Sequence, residues 1–180
     1  MKDIMLDLET MGNGPDAAII AIGAVEFDLD TCEIGLPFYR KVQLDSSVAA
    51  GGVIDASTVQ WWLGQSDEAR KEFLSNDGAV SLENALVDFS GWCQMNGVEH
   101  VWGNGASFDN VILGSAYRRL GMKQPWPYWG DRCYRTIKAF FPDIKLERIG
   151  VHHNALDDAL SQAEHLIRMI GKQDTSGQSI

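Results

Sequence analysis

The chain has few cysteines. Cys32, Cys93 and Cys133 are odd in number, far apart and without a Cys-x-x-Cys spacing, which argues against a disulfide framework or a zinc knuckle. Long apolar runs are also missing: no stretch approaches the roughly 20 apolar residues that span a bilayer. The opening "MKDIMLDLETMG" interrupts its apolar residues with acids, unlike a signal peptide. The expected setting is a reducing cytoplasm, with no membrane partner. Basic surplus is absent too. A formal net charge of -10 argues against sequence-independent grip on a nucleic-acid backbone through a generally basic surface. No internal repeat or linker interrupts the chain.

What is present suits one compact unit. With 180 residues, 45% of them hydrophobic, the chain can bury a core of its own. We expect a single domain over 1–171 and a frayed tail over 172–180. The charge is uneven along it. Arg118, Arg119, Lys123, Arg132, Arg135, Lys138, Lys145 and Arg148 fall between Tyr117 and Gly150 against only Asp131, Asp143 and Glu147. Such a run is ordinarily a solvated helix face; beside a catalytic site it would be a phosphate-facing surface.

"KDIMLDLE", "AAIIAIGAVEFD" and "GLPFYRKVQL" have strand composition and are separated by the turn-forming "GNGPD" and "DLDTCE", which predicts an antiparallel meander. "DASTVQWWLGQSDEARKEFL" and "SLENALVDFSGWCQM" read as two helices, each starting near a capping Asp or Ser. "VEHVWG" reads as a buried strand and "SFDNVILGSAYRRLG" as a helix ended by Gly121. The segment 122–150 is irregular, with a short helix near "RCYRTIKAFF", and a last helix covers about Asn154 to Ile170. A meander followed by alternating strands and helices implies a mixed α/β sheet with helices packed on it.

In "IMLDLETMG", Asp7 and Glu9 lie two apart on a strand and so share a face. Their mutual repulsion and their burial beside Ile4, Met5, Leu6 and Leu8 would both be relieved by a cation. Carboxylate oxygens are the hard ligands that Mg²⁺ or Mn²⁺ prefer. Asp109, in "WGNGASFDNVIL", starts a helix after a buried strand, where a plain capping role would also suffice. "VHHNALDDAL" offers two histidines, each five residues ahead of an aspartate. At about 100° per residue, Asp157 and Asp158 each lie roughly 60° beyond opposite edges of the helix's apolar arc. Periodicity leaves both open.

In this order and at these separations, "DLET", "NGASFD" and "HNALDDA" resemble the three motifs of the DEDDh 3′-to-5′ exonucleases, the DnaQ-like superfamily. The resemblance spans Met5 to Ala159. The family's His-x-Ala-x-x-Asp-Ala pattern fits His153, Ala155, Asp158 and Ala159, whereas a start at His152 would put Asn154 and Asp158 where alanines belong. A sister group carries Tyr four residues before the last Asp; here that position is Asn154, which indicates the histidine class. The resemblance implies a ribonuclease-H-like fold, a five-stranded mixed sheet whose first three strands are antiparallel, flanked by helices. It also implies that Asp7, Glu9, Asp109 and Asp158 hold two divalent ions, Mg²⁺ or Mn²⁺, and that His153 takes the proton of the attacking water. Backbone groups at Thr10 and Met11 resemble positions that contact the terminal nucleotide, and Phe108 packs near the site.

"TVQWWLGQSDEAR" places Trp61 and Trp62 side by side, about 100° apart on a helix. One of them is a candidate stacking platform for a terminal base; the plainer outcome is one core and one partly covered tryptophan. The pair followed by Gln and Ser resembles a phage- and prophage-encoded branch often labelled exodeoxyribonuclease VIII-like, which would place the protein in a bacterial or phage-infected cell.

The expected activity is therefore release of nucleoside 5′-monophosphates from nucleic-acid 3′ ends, with DNA favoured over RNA and single-stranded or frayed ends over paired ones. An exoribonuclease of the same fold is the nearest rival. A non-catalytic nucleic-acid-binding module would ordinarily have lost a metal ligand, and a metal-storage or sensor protein would leave the phosphate-side features unused. A homodimer is compatible with the sequence but is not indicated by it.

Overall fold

A computed structural model describes residues 1–171, apart from the side chain of Glu72. The proposed tail, 172–180, lies outside the described residues. The three expected strands are β1 (Asp3–Thr10), β2 (Ile19–Asp28) and β3 (Glu33–Lys41), joined as an antiparallel meander. β4 (His100–Gly103) runs parallel to β1, and β5 (Asp131–Cys133) parallel to β4, giving the order β3-β2-β1-β4-β5. This is the five-stranded mixed sheet of the ribonuclease-H-like class.

β1 and β2 lie inside the sheet and are buried on both faces, so their sequences run almost continuously apolar. Ile4, Leu6 and Leu8 point to one core, shared with α4 (Leu82–Asn96) and α5 (Asp109–Arg119). Met5 points to the other, shared with α6 (Tyr134–Phe140) and α7 (Ala155–Ile170). Asp7 and Glu9 continue the Met5 alternation and therefore face α7. β1 ends with a register shift between Glu9 and Thr10, a bulge of the kind that re-aims side chains at the end of a strand.

Two glycines set how closely the helices approach. Gly23 of β2 is the partner of Asp7 across the sheet. A Cβ on Gly23 would fall inside the contact radius of the Ala155 carbonyl and the Leu156 amide. Gly103, at the end of β4, likewise has the side chains of Asn110 and Asp109 where its Cβ would be. Helices α7 and α5 can therefore bring their first turns down onto the C-terminal end of β1.

The sequence suggested one helix over 55–74, but there are two, α2 (Ala56–Leu63) and α3 (Asp67–Leu74). Gly64 ends the first, and the Ser66 hydroxyl accepts from the Ala69 amide to start the second. The Ser66 cap captures an amide that a continuous helix would bond internally. Three elements were not foreseen: the short α1 (Leu44–Ala49), a single 3₁₀ turn over Tyr128–Gly130, and β5. "DRC" has no strand pattern of its own; its pairing with Val101–Gly103 makes it a strand. Among the described residues, no helix is long and apolar enough to cross a membrane.

Candidate active site

At the C-terminal end of β1 lies a cleft of about 520 Å³ whose walls include Asp7, Glu9, Asp109, His153 and Asp158. Three elements deliver the four acids. β1 contributes Asp7 and Glu9, the first residue of α5 contributes Asp109, and the first turn of α7 contributes Asp158. Packing settles the question that periodicity left open. Asp158 is buried, with carboxylate oxygens that gather with those of Asp7 and Glu9 within 4.8 Å of one another. Asp157 points instead into the preceding loop, where its Oδ2 accepts the Val151 amide at 2.7 Å.

The electrostatics of this cluster are those of a cation site. The Asp7 carboxyl is pushed well above the usual carboxylate range, first by burial and then by Asp109, Glu9 and Asp158. Gln162 offsets part of this, its Nε2 donating to Asp7 Oδ1 at 2.8 Å. Asp109 is also pushed up by burial, opposed by the Leu8 amide that donates to its Oδ1 at 3.2 Å. Gln162 Oε1 is buried without a hydrogen-bond partner among the described residues. A buried set of hard oxygen donors that repel one another fits Mg²⁺ or Mn²⁺ better than it fits nothing. The residues present are therefore suited to such ions.

The loop before α7 is held by that helix's first turns. Asp158 Oδ2 accepts the His153 amide at 2.9 Å, Asp158 Oδ1 accepts from Arg148 Nη1 at 2.7 Å, and Ser161 Oγ accepts the Ile149 amide at 2.9 Å. Asn154 caps the helix by accepting from the Leu156 and Asp157 amides. His153 itself has φ +67, a left-handed conformation that a non-glycine residue occupies at a cost of roughly 1–2 kcal/mol. Its imidazole pKa is lowered, chiefly by burial and then by neighbouring His152. Both effects favour the neutral ring, the form that can accept a proton.

The other proposed site residues divide. Thr10 and Phe108 line the cleft. Met11 does not. It packs beneath with Ala18 and Trp62, and its amide is taken by the Ala18 carbonyl at 2.8 Å. Trp62 is 1% exposed and donates from Nε1 to the Thr10 carbonyl at 2.9 Å, so it is a core residue that fixes the floor of the cleft. Trp61, 45% exposed, keeps a free face at the cleft and stands edge-on to His153 with centroids 4.7 Å apart.

Of the basic segment, Arg135, Lys138 and Arg148 reach the cleft wall. Arg119 donates instead to the Ala50 carbonyl, and Arg132 to those of Trp129 and Asp131. Arg118 is likewise absent from the wall. Arg135→Ala or Lys138→Ala is therefore expected to flatten the log–log salt dependence of nucleic-acid binding by about one unit. The same titration on Arg118→Ala or Arg132→Ala should give the unaltered slope; equal flattening in all four would mean a diffuse surface effect.

Several cleft residues escaped the sequence reading. Gln162 lies one turn after Asp158 and shares its face, a spacing that could have exposed it. Asn13, Ser57 and Thr58 also line the wall and carry no sequence signal beyond loop or helix-start composition. Asn104 lines it too, and although it opens the "NGASFD" motif the sequence reading gave it no role of its own.

The geometry agrees with known proteins. Residues 2–170 match the family described as "3′-5′ exoribonuclease Rv2179c-like domain". An exodeoxyribonuclease of Enterobacteria phage T4 is 28% identical over 159 residues, which cover 76% of this chain and 70% of that protein. The nuclease domain of 3′hExo, a DEDDh family member solved with rAMP, superposes with a TM-score of 0.64 at 16% identity, covering 93% of this chain and 90% of that one. Exonuclease X, solved with 5′-overhanging duplex DNA, gives 0.58 at 19% identity, covering 98% and 94%.

Proposed function

The chain belongs to the Rv2179c-like family of 3′-5′ exoribonuclease domains, a DEDDh-type 3′-5′ exonuclease, and we propose that it releases nucleoside 5′-monophosphates from single-stranded or frayed DNA 3′ ends with two divalent cations. The observation that carries this reading is the convergence of Asp7, Glu9, Asp109 and Asp158 with His153 in one cleft. Bound Mg²⁺ or Mn²⁺ would supply an activated water and stabilise negative charge on the leaving 3′ oxygen. The four acids would hold the ions, and Gln162 fixes one Asp7 oxygen by a hydrogen bond.

His153, neutral and anchored through its amide to Asp158, accepts the water's proton on its imidazole. Arg135 and Lys138 neutralise phosphate charge behind the scissile bond. The exposed face of Trp61 stacks on a base near the 3′ end, a contact worth roughly 1–3 kcal/mol.

DNA is supported by the phage T4 relative; RNA is the second reading, favoured by the description of the family. End-labelled single- and double-stranded DNA and RNA, compared with Mg²⁺, with Mn²⁺ and in excess chelator, test both. We expect single-nucleotide 5′-monophosphate release, fastest on single-stranded DNA and absent with chelator. Faster loss from RNA would transfer the assignment to the second reading, and unimpaired cleavage in chelator would remove the metal mechanism.

A further inference from the structure

His152 and His153 are the central residues of a turn closed by the Asn154 amide on the Val151 carbonyl at 3.2 Å, and their rings stack with centroids 3.6 Å apart and planes at 27°. The left-handed φ of +67 at His153 turns both rings to one side. Beneath them lies Asp158, and the nearest ligand atoms of His152, His153 and Asp158 all lie within 4.8 Å of one another. We propose that these three residues form a second metal site, which takes a borderline-soft transition metal such as Zn²⁺ and silences the nuclease when filled.

The chemistry differs from that of the four-carboxylate cluster. Two imidazole nitrogens and one carboxylate oxygen suit Zn²⁺, whereas an all-oxygen set suits Mg²⁺ or Mn²⁺. His152 is exposed, so its ring can turn out of the stack into solvent-facing space and close the remaining gap to bonds of about 2.0–2.2 Å. Both Asp158 oxygens are engaged, by Arg148 Nη1 and by the His153 amide, but each keeps a further lone pair. The Arg148 guanidinium, which pairs with Asp158, must give way to the ion, and its side chain is 46% exposed and can swing into solvent. Three protein ligands and an open, solvent-facing fourth position make a site that loads easily. Silencing rests on the functional reading above: the site claims Asp158 from the hard-cation cluster and His153 from proton transfer.

The test uses the whole chain and two probes. Co²⁺ is titrated while visible absorption is recorded, because nitrogen-ligated Co²⁺ of low coordination number has an intense d–d band. One equivalent should develop the band in wild type and in Asp7→Ala, and none in His152→Ala. Zn²⁺ is then titrated into the Mg²⁺-supported reaction. Wild type should lose activity, whereas His152→Ala keeps its Mg²⁺ activity and needs about tenfold more Zn²⁺, or higher, for the same loss. A band that survives His152→Ala, or that disappears in Asp7→Ala, would place the ion in the carboxylate cluster and overturn the proposal. A band that behaves as expected without any Zn²⁺ inhibition would leave the site standing, overturn the silencing and remove His153 and Asp158 from catalysis.

Discussion

Asp7→Ala or Glu9→Ala is expected to abolish 3′-end cleavage while the fold persists, because each removes one of the oxygen sets that would hold the ions. The companion result concerns stability. Burial and three neighbouring acids make the Asp7 carboxyl harder to ionise in the fold than in the unfolded chain. The folded state of the metal-free protein therefore binds more protons at this position. Its stability falls as pH rises from the unfolded carboxylate value through the raised folded one. Asp7→Asn, which keeps an acceptor for Gln162, should raise the metal-free Tm at pH 7 and reduce its dependence on pH. Calorimetry with and without divalent cations checks this: wild type should gain more from the cation than the variant does. An Asp7→Asn protein that melts below wild type without metal would show that the carboxylate is satisfied by the protein alone.

His153→Ala should lower the single-turnover rate by about 10²–10⁴-fold, the usual worth of a positioned base, with metal and substrate binding retained. Asp158→Asn should instead weaken metal binding, since it removes an anionic oxygen and with it the Arg148 partner. The adjacent positions forecast the opposite. His152 is exposed, and Asp157 needs only a carbonyl oxygen to keep accepting the Val151 amide; His152→Ala and Asp157→Asn should therefore stay within several-fold of wild type. Rates and metal titrations on the four variants separate the pairs. Heavy losses at His152 and Asp157 with tolerance at His153 and Asp158 would move the motif by one residue.

The meander was legible because β1 and β2 are interior strands, whose apolar runs and intervening turns are local properties of the chain. The face shared by Asp7 and Glu9 followed from strand alternation alone. Asp158 was another matter: it and Asp157 flank the apolar arc symmetrically, so only the seating of α7 on β1 and β2 distinguishes them. Resemblance supplied that answer before packing did. β5 was invisible for a related reason, since its three residues become a strand only by pairing with β4. The division of Trp61 and Trp62 between surface and core depended on the Thr10 carbonyl as a partner for the Trp62 indole, a contact 52 residues away in sequence. Arg148 meets Asp158 from an irregular loop, where no periodicity predicts a direction.

Gly23 contributes no charge, no hydrogen-bonding side chain and no wall of the cleft, yet it lies across the sheet from Asp7 and directly under the first turn of α7. The height of that helix above the sheet is the height of Asp158 above Asp7, and it is set by a methyl group that is missing. Inheritance of this activity is therefore constrained at a position with no chemistry to conserve. A screen for inactivating changes would group Gly23 with the acids, while a chart of reactive groups would pass over it.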